Sequence, residues 1–239
     1  MSKIFDAYKK QVQTEASDLT RGVPQGDTLV LFPKSEAKQN EEFSKLANRL
    51  LGLRMETQGA VISFASSAAG EGASFVSYHT ASALARDYDQ KVVWVDANFL
   101  APQKRLNGLS LLSFSSLIRD PKKAQELLPT GNLTLVPGGD NLVGARGYFA
   151  GNQYHQLLKA FRQKFDFVIM DLPPVLKSTD AALLAGPTDG FLLVVEQRFL
   201  KWEVINHGLD SLKEKKVKVL GSVINRRKFD LPKVLYDRL

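Results

Sequence analysis

Short apolar runs alternate with longer segments of helical spacing along most of the chain, from residue 60 onward. The apolar runs have the length of buried β-strands, and the segments between them repeat apolar positions at the helical period. Such an alternation is typical of βαβ units, so we predict an α/β fold with a mostly parallel central sheet flanked by helices. The predicted strands are residues 60–65, 91–95, 133–136, 167–170, 191–195 and 217–223. The predicted helices are residues 73–88, 110–127, 152–164, 178–185 and 201–214.

The N-terminal part of the chain follows a different pattern. Residues 3–17 and 37–52 have helical spacing, and the segment 20–34 between them carries two prolines and two glycines, which is typical of a linker. We therefore predict a helical arm over residues 1–55 and an α/β domain over residues 56–239. The first helix carries an apolar stripe along one face, made of Ile4, Phe5, Tyr8 and Val12. We expect this stripe either to bind a partner or to pack back on the domain.

Composition and charge narrow the class of protein. The chain has 239 residues and 44% hydrophobic content, which is enough for one sizeable core. It contains no cysteine, which excludes disulfides, thiolate catalysis and cysteine-ligated metal sites. A formal charge of +7 favours acidic partners, without choosing among nucleic acid, an anionic membrane surface and an acidic protein face.

The hydropathy pattern also bears on localisation. The longest wholly apolar run, residues 191–195, is far shorter than the roughly 20 residues that cross a bilayer. Charges at Lys3 and Asp6 interrupt the start too early for the apolar core of a secretory signal. We expect a cytoplasmic protein, with peripheral attachment to the inner face of the cell membrane as the alternative.

The first candidate site is a loop of small residues between a predicted strand and the following helix, Ser66-Ser67-Ala68-Ala69-Gly70-Glu71-Gly72-Ala73-Ser74-Phe75. At a helix N-terminus such a loop presents several backbone N–H groups to one point, where the helix dipole also favours an anion. The candidate phosphate-binding residues are Gly70, Glu71, Gly72, Ala73, Ser74 and Phe75. A tight turn that needs glycine only for its backbone geometry is the alternative.

Two later strands end in aspartate, at Asp96 and Asp171. Ligands of open parallel sheets gather at the carboxyl ends of the strands, so we expect both carboxylates beside the glycine-containing loop. Ser74, Asp96 and Asp171 would supply the oxygen atoms that Mg²⁺ prefers, and they are the candidate metal ligands. Asp96 and Asp171 are also the candidate catalytic residues. Alternatively, each aspartate only caps the segment that follows it.

Residues 58–226 resemble the bacterial tyrosine kinases of capsule and exopolysaccharide biosynthesis, which are relatives of the MinD and ParA group of P-loop ATPases. Besides the loop, the resemblance rests on residues 165–176, 180–185, 189–195 and 220–225. It implies a P-loop NTPase-like fold that binds ATP or ADP with Mg²⁺, with Asn225 near the adenine. It also implies a partner, namely a membrane polysaccharide co-polymerase or another export component, and self-association.

The chain departs from the family pattern where the family acts on phosphate. Ala73 stands at the position of the P-loop lysine, and Ala68 stands where MinD and ParA proteins carry a second lysine. A charge-assisted hydrogen bond contributes about 1.5–3 kcal/mol, so its loss should weaken nucleotide binding about ten- to a hundredfold. The family has two aspartates and a basic residue where this chain has Asp96, Asn98 and Leu100.

Two further departures concern assembly and substrate. In the family a glutamate and two arginines at three-residue spacing pack subunits into a ring, and they correspond here to Glu41, Ser44 and Ala47. The family's tyrosine-rich tail is reduced to one nearby tyrosine, Tyr236.

These losses favour a catalytically degenerate protein, a pseudokinase that acts as a scaffold or regulator. The first alternative is an active tyrosine kinase or ATPase in which Lys104 or Arg105 reaches the phosphates. The second is a ParA-like nucleic-acid binder, suggested by the net charge, although we do not expect nucleic acid to be the partner. Metal binding is not expected at His79, His155 and His207, because they lack metal-ligand spacing.

Overall fold

Six parallel strands form one central sheet in the computed structural model, which describes residues 37–52, 59–103, 112–129, 131–139, 146–196 and 202–226. The strands are β1 (Ala60–Ser66), β2 (Val92–Asp96), β3 (Leu133–Val136), β4 (Phe167–Asp171), β5 (Gly190–Glu196) and β6 (Val219–Asn225). They lie in the order β3-β2-β4-β1-β5-β6, and all neighbouring pairs are parallel. The predicted α/β class is confirmed.

Helices cover both faces of the sheet, as a parallel sheet requires because each crossover must return across a face. They are α1 (Ala37–Leu51), α2 (Ala73–Asp87), α3 (Phe114–Arg119), α4 (Arg146–Phe149), α5 (Asn152–Lys164), α6 (Asp180–Ala185) and α7 (Trp202–Glu214). A short 3₁₀ helix follows α3 at Pro121–Gln125.

The two faces of the sheet form two separate cores. In β1, Ile62 and Phe64 pack with α1 and α2, whereas Val61 and Ala65 pack with the core formed by the other helices. This is the two-residue period of a strand with both faces covered. Trp94 of β2 is fully buried on the α2 side and donates from Nε1 to Ser77 Oγ at 3.0 Å.

The structure differs from the sequence prediction at several element boundaries. The helix predicted over 110–127 was wrong as a single element, because α3 ends at Arg119 and Pro121 begins the 3₁₀ helix. Proline lacks an N–H group and clashes with the preceding helical turn, which explains the break. Strand β6 lies two residues later than predicted, and β2 and β4 each extend to their final aspartate, so that Asp96, Asp171 and Asn225 end their strands.

Helix α1 packs directly on α2. Ala47 is fully buried and Leu50 nearly so, both in the core on that face of the sheet. Ser44 Oγ donates to Asp87 Oδ2 at 2.5 Å, and Tyr88 donates from its hydroxyl to the Ser44 carbonyl oxygen at 3.0 Å. The domain boundary near residue 55 stays a prediction. The helix predicted over 3–17, its apolar stripe and the linker over 20–34 lie outside the described residues.

Within the described residues, no helix is both long enough and apolar enough to span a bilayer.

Candidate functional site

The segment between β1 and α2, residues 67–72, is called here the glycine loop, and it lies at the carboxyl end of β1. Gly70 and Gly72 both have positive φ angles, 98° and 91°, in the region that side chains disfavour. At Gly72 a Cβ atom would also stand 2.3 Å from Asn225 Nδ2, whereas one at Gly70 would meet nothing within 4 Å. Gly72 is therefore required both for the backbone turn and for the close approach of β6.

Glu71 holds the glycine loop from inside. Its carboxylate is fully buried, with Oε2 accepting from the Ala68 N–H at 2.6 Å and Oε1 accepting from the Glu196 N–H at 3.2 Å. The first bond closes the loop on itself, and the second ties it to the end of β5. Glu71 thus fixes the loop through its side chain, and the backbone lining is left for a ligand.

The backbone N–H groups from Gly70 to Ser74 donate to no acceptor among the described residues. Helix α2 begins at Ala73, so several of these donors belong to its unsatisfied first turn. A cluster of free N–H groups at a helix N-terminus fits an anion, and phosphate is the anion most often bound this way. The loop therefore fits the phosphate groups of a nucleotide at the level of the backbone.

The end of β6 closes over the glycine loop. Asn225 donates from Nδ2 to the Glu71 carbonyl oxygen at 2.8 Å. Arg226 donates from Nη1 to the Gly70 carbonyl oxygen at 3.2 Å and forms an ion pair with Glu196 Oε2 at 2.7 Å. Asn225 is thus brought to the loop itself, and its predicted position near an adenine stays a prediction.

Asp96 ends β2 with both carboxylate oxygens engaged. Oδ1 accepts from the Asn98 N–H at 3.1 Å, and Oδ2 accepts from the Gln103 N–H at 2.6 Å. The side chain is fully buried, and desolvation raises the pKa of Asp96 from 3.8 to about 6 despite these backbone donors. The carboxylate fixes the turn after β2, which is the capping role weighed as the alternative to metal binding.

Asp171 ends β4 in a different environment. Both of its oxygens are buried, and neither accepts a hydrogen bond from a described residue. Desolvation, together with the neighbouring Asp96, raises the pKa of Asp171 well above 3.8. The Ser74 hydroxyl faces this carboxyl and offsets part of the increase in pKa. A buried acid without partners is costly unless it is protonated or meets a cation.

The positions that depart from the kinase pattern also lie at this end of the sheet. Ala73 is the first residue of α2, only 8% exposed, and it belongs to the core beneath the loop. Asn98 follows β2, and its side-chain Oδ1 is buried without a partner among the described residues. Leu100 is half exposed, at 50%. No positive side chain from these positions reaches the phosphate-binding backbone.

The structure brings Gly70, Glu71, Gly72, Ser74, Asp171 and Asn225 to one place, but it directs the Phe75 side chain elsewhere. The Phe75 ring packs between α1 and α2, with its centroid 4.2 Å from the His79 ring and 5.8 Å from the Phe43 ring. Burial and the nearby Arg86 lower the pKa of His79 to about 4, which agrees with a structural role for this histidine. Phe75 therefore contributes only its backbone to the loop end of α2.

Sequence reasoning missed Glu196, Arg226 and Gln103, which contact the loop or Asp96. Glu196 ends an apolar strand and Arg226 begins a basic stretch, but neither signal points to the loop, because both contacts cross between strands far apart in the chain. Lys104 and Arg105, the basic residues considered for the phosphates, lie outside the described residues.

The residues present fit Mg²⁺ and a nucleotide in part. Asp171, with two unsatisfied oxygens beside Ser74, fits a divalent cation, whereas each oxygen of Asp96 already accepts one backbone hydrogen bond and keeps one lone pair free. No group of three His, Asp or Glu side chains that could hold a metal ion occurs in the described ranges. Any bound cation would therefore need oxygen ligands from the phosphates or from water, as Mg²⁺ usually has.

No family model matches the chain. Among curated proteins it is similar to the tyrosine-protein kinase CpsD of Streptococcus agalactiae serotype III (strain NEM316), with 27% identity over 94 residues, which cover 39% of this chain and 40% of that protein. The match thus spans well under half the length of that relative. The chain is also similar to the tyrosine-protein kinase YwqD of Bacillus subtilis (strain 168), with 21% identity over 213 residues, 87% of this chain and 90% of that protein.

Solved structures show the same relationship at the level of the fold. The kinase domain of the Escherichia coli tyrosine kinase ETK has a TM-score of 0.69 and 22% identity, covering 81% of this chain and 79% of that one. A putative plasmid partition protein from Borrelia burgdorferi B31, bound to AMPPNP, has a TM-score of 0.57 and 15% identity, covering 76% and 80%. The resemblance to bacterial tyrosine kinases and their P-loop relatives, and the P-loop NTPase-like fold, are confirmed.

Proposed function

We propose that this chain is a catalytically degenerate relative of the bacterial tyrosine kinases, a pseudokinase that acts as a scaffold or regulator in capsule or exopolysaccharide biosynthesis and export. One observation carries the proposal: the glycine loop keeps its backbone geometry, while Ala73 places a methyl group in the core where the kinases place a lysine. The binding surface is retained and the group that stabilises a transferring phosphoryl is lost.

Nucleotide binding belongs to the proposal, but as a weak interaction. The backbone from Gly70 to Ser74 would hold the phosphates, and Ser74 with Asp171 would hold Mg²⁺, whose role when bound is to neutralise phosphate charge. Asp96 would contribute through the lone pairs that its hydrogen bonds from the Asn98 and Gln103 N–H groups leave free. ATP, ADP and the metal are expected to bind about ten- to a hundredfold more weakly than in a protein with the lysine.

The chemical step lacks a well-placed base. Asn98 is neutral and cannot accept a proton at physiological pH. The Asp96 carboxylate is held by two backbone N–H groups, 3.1 and 2.6 Å away. The pKa of Asp171 is raised by desolvation, which favours its protonated form in the absence of a cation. A missing general base alone lowers a rate by about 10²–10⁴.

A phosphate-release assay and mass spectrometry for phosphotyrosine test the loss of activity. The purified chain, incubated with ATP and Mg²⁺, is expected to match its Asp171→Asn variant, because neither should transfer phosphate. Turnover that the wild type shows and Asp171→Asn lacks would favour the active kinase or ATPase, with Lys104 or Arg105 as the replacement cation.

The partner is proposed to be the cytoplasmic end of a membrane polysaccharide co-polymerase or another export component, with association at the inner face of the membrane. Co-purification of the chain with that component, before and after deletion of residues 1–20, tests this docking and the role of the arm. Salt-dependent retention on DNA, without co-purification, would instead favour the ParA-like alternative, because phosphate contacts make DNA affinity fall steeply with salt.

A further inference from the structure

Arg226 lies at the rim of the glycine loop, directly after β6. Its guanidinium donates from Nη1 to the Gly70 carbonyl oxygen at 3.2 Å and to Glu196 Oε2 at 2.7 Å, and its side chain is 58% exposed. Gly70 begins the run of N–H groups that donate to no described acceptor. A positive charge therefore stands at the Gly70 end of this run of N–H groups.

The backbone at Arg226 is held in an unfavourable conformation. Its φ of 51° lies in the left-handed region, which side chains other than glycine seldom occupy. Asn225 stabilises this turn, because its Oδ1 accepts from the Arg226 N–H at 2.9 Å while its Nδ2 donates to the Glu71 carbonyl oxygen. One asparagine side chain thus fixes both the loop and the turn that directs Arg226 back over it. Backbone outliers of this kind concentrate at functional sites.

The guanidinium retains free donors. Both contacts of Arg226 use Nη1, and Nε and Nη2 have no acceptor among the described residues. A guanidinium offers five N–H donors in a planar fork that matches phosphate oxygens two at a time. Glu196, whose side chain is 21% exposed, is the anion that pairs with this guanidinium at the rim of the glycine loop. A phosphate oxygen would satisfy the same donor and the unused ones together.

A second observation points to a ligand at the same end of α2. Asp171 is fully buried with both carboxylate oxygens unsatisfied, and it faces Ser74 on the first helical turn. This acid and the free N–H groups of the loop would both be completed by a Mg²⁺–polyphosphate pair. Arg226, which follows β6, and Asp171, which ends β4, are independent features of the chain.

We propose that Arg226 is a phosphate-binding cation of this site and supplies to a nucleoside di- or triphosphate part of the positive charge that Ala73 does not. On binding, its guanidinium exchanges Glu196 for a phosphate oxygen, and Glu196 acts as the competing anion that retains Arg226 at the rim in the free protein. The inference rests on the nucleotide binding included in the proposed function, and it is independent of whether phosphoryl transfer occurs.

Calorimetric titration of the full chain with ATP and with adenosine tests this assignment. Arg226→Gln keeps a polar side chain and removes the charge, and it is expected to weaken ATP binding about tenfold or more, with adenosine affinity unchanged. Glu196→Gln removes the competing anion and is expected to tighten ATP binding several-fold. Arg86→Gln is the matched control, because Arg86 is also paired with a carboxylate, Asp87, at the opposite end of α2.

The outcomes separate the inference from the proposed function. Equal ATP affinity in the wild type, Arg226→Gln and Glu196→Gln would overturn the role of Arg226, as would a wild type that binds no ATP at millimolar concentration. An equal loss in Arg86→Gln would also overturn it, because the effect would then be one of net charge. A wild type that binds no ATP would also remove nucleotide binding from the proposed function, whereas the other two outcomes would leave it standing. ATP turnover in the wild type would contradict the pseudokinase and leave the role of Arg226 standing.

Discussion

Asp96 and Asp171 are register partners on the neighbouring parallel strands β2 and β4, yet only one of them is satisfied. Asp96 accepts two backbone hydrogen bonds, whereas both oxygens of Asp171 are buried and accept none from the described residues. The two acids therefore have different surroundings: the turn after β2 donates to Asp96, whereas Asp171 is a buried acid whose oxygens accept no hydrogen bond from the described residues.

Stability should depend on pH through this pair of acids. Folding raises the pKa of Asp96 from 3.8 to about 6 and that of Asp171 further above its ordinary value. The folded state then holds more protons than the unfolded chain, so the contribution of these two acids to the free energy of unfolding is fully present below about pH 4 and is lost as pH rises through the folded pKa values. For Asp96 alone the whole decrease, from well below pH 3.8 to well above pH 6, amounts to about 3 kcal/mol.

Asp171→Asn tests this dependence, because the amide cannot ionise. Urea unfolding from pH 4 to pH 8 is expected to show the variant gaining stability over the wild type as pH rises. Asp210→Asn, on the exposed surface of α7, is the control and should follow the wild type. A difference between Asp171→Asn and the wild type that stays constant over this range would contradict the raised pKa of Asp171.

A lysine at position 73 should raise the affinity for ATP. In Ala73→Lys a new ammonium can meet the phosphates above the N–H groups of the glycine loop, and we expect ATP affinity to rise about ten- to a hundredfold by calorimetry. Ala73 is only 8% exposed, so the longer side chain must also leave the core. Ala73→Met, of similar length and uncharged, controls for that displacement. If both variants bind ATP equally, the glycine loop is not a phosphate site.

Hydrolysis should need a second restoration at Asn98. Ala73→Lys alone is expected to stay nearly inactive in a phosphate-release assay, since a general base typically supplies about 10²–10⁴ in rate. Adding Asn98→Asp should raise turnover beyond the product of the single effects, because both residues act on one phosphoryl group. Free hydrolysis by Ala73→Lys alone would show that Asn98 is not the deficit.

Helix α1 offers a test of its own packing on α2. Ala47 corresponds to a ring-packing arginine in the kinases, but here it is fully buried against α2. Ala47→Arg is expected to lower the free energy of unfolding by about 2–4 kcal/mol, because it forces a charge into an apolar contact. Asn48→Arg, on the exposed side of the same helix, should change it by less than about 0.5 kcal/mol. Equal thermal melting of both variants would mean that α1 does not pack as described.

Several features of this protein could be read from the sequence because they depend on local patterns. The alternation of apolar runs and helical segments predicted the parallel sheet, and the strand-ending aspartates predicted that Asp96 and Asp171 would meet at its carboxyl edge. Glycine at positions 70 and 72 predicted a tight loop before α2, and both have the positive φ that favours glycine. The departures at Ala73 and Asn98 are likewise visible in the sequence alone.

Tertiary structure decided which of these groups are satisfied. No local pattern distinguishes Asp96, which two N–H groups from the following turn hold, from Asp171, which none holds. Arg226 reads as one residue of a basic surface stretch, and only the parallel pairing of β5 with β6 brings it beside Glu196 and Gly70. Hydrogen bonding and desolvation depend on neighbours distant in the chain, so the fold could be predicted from its sequence and the charge balance of the site could not.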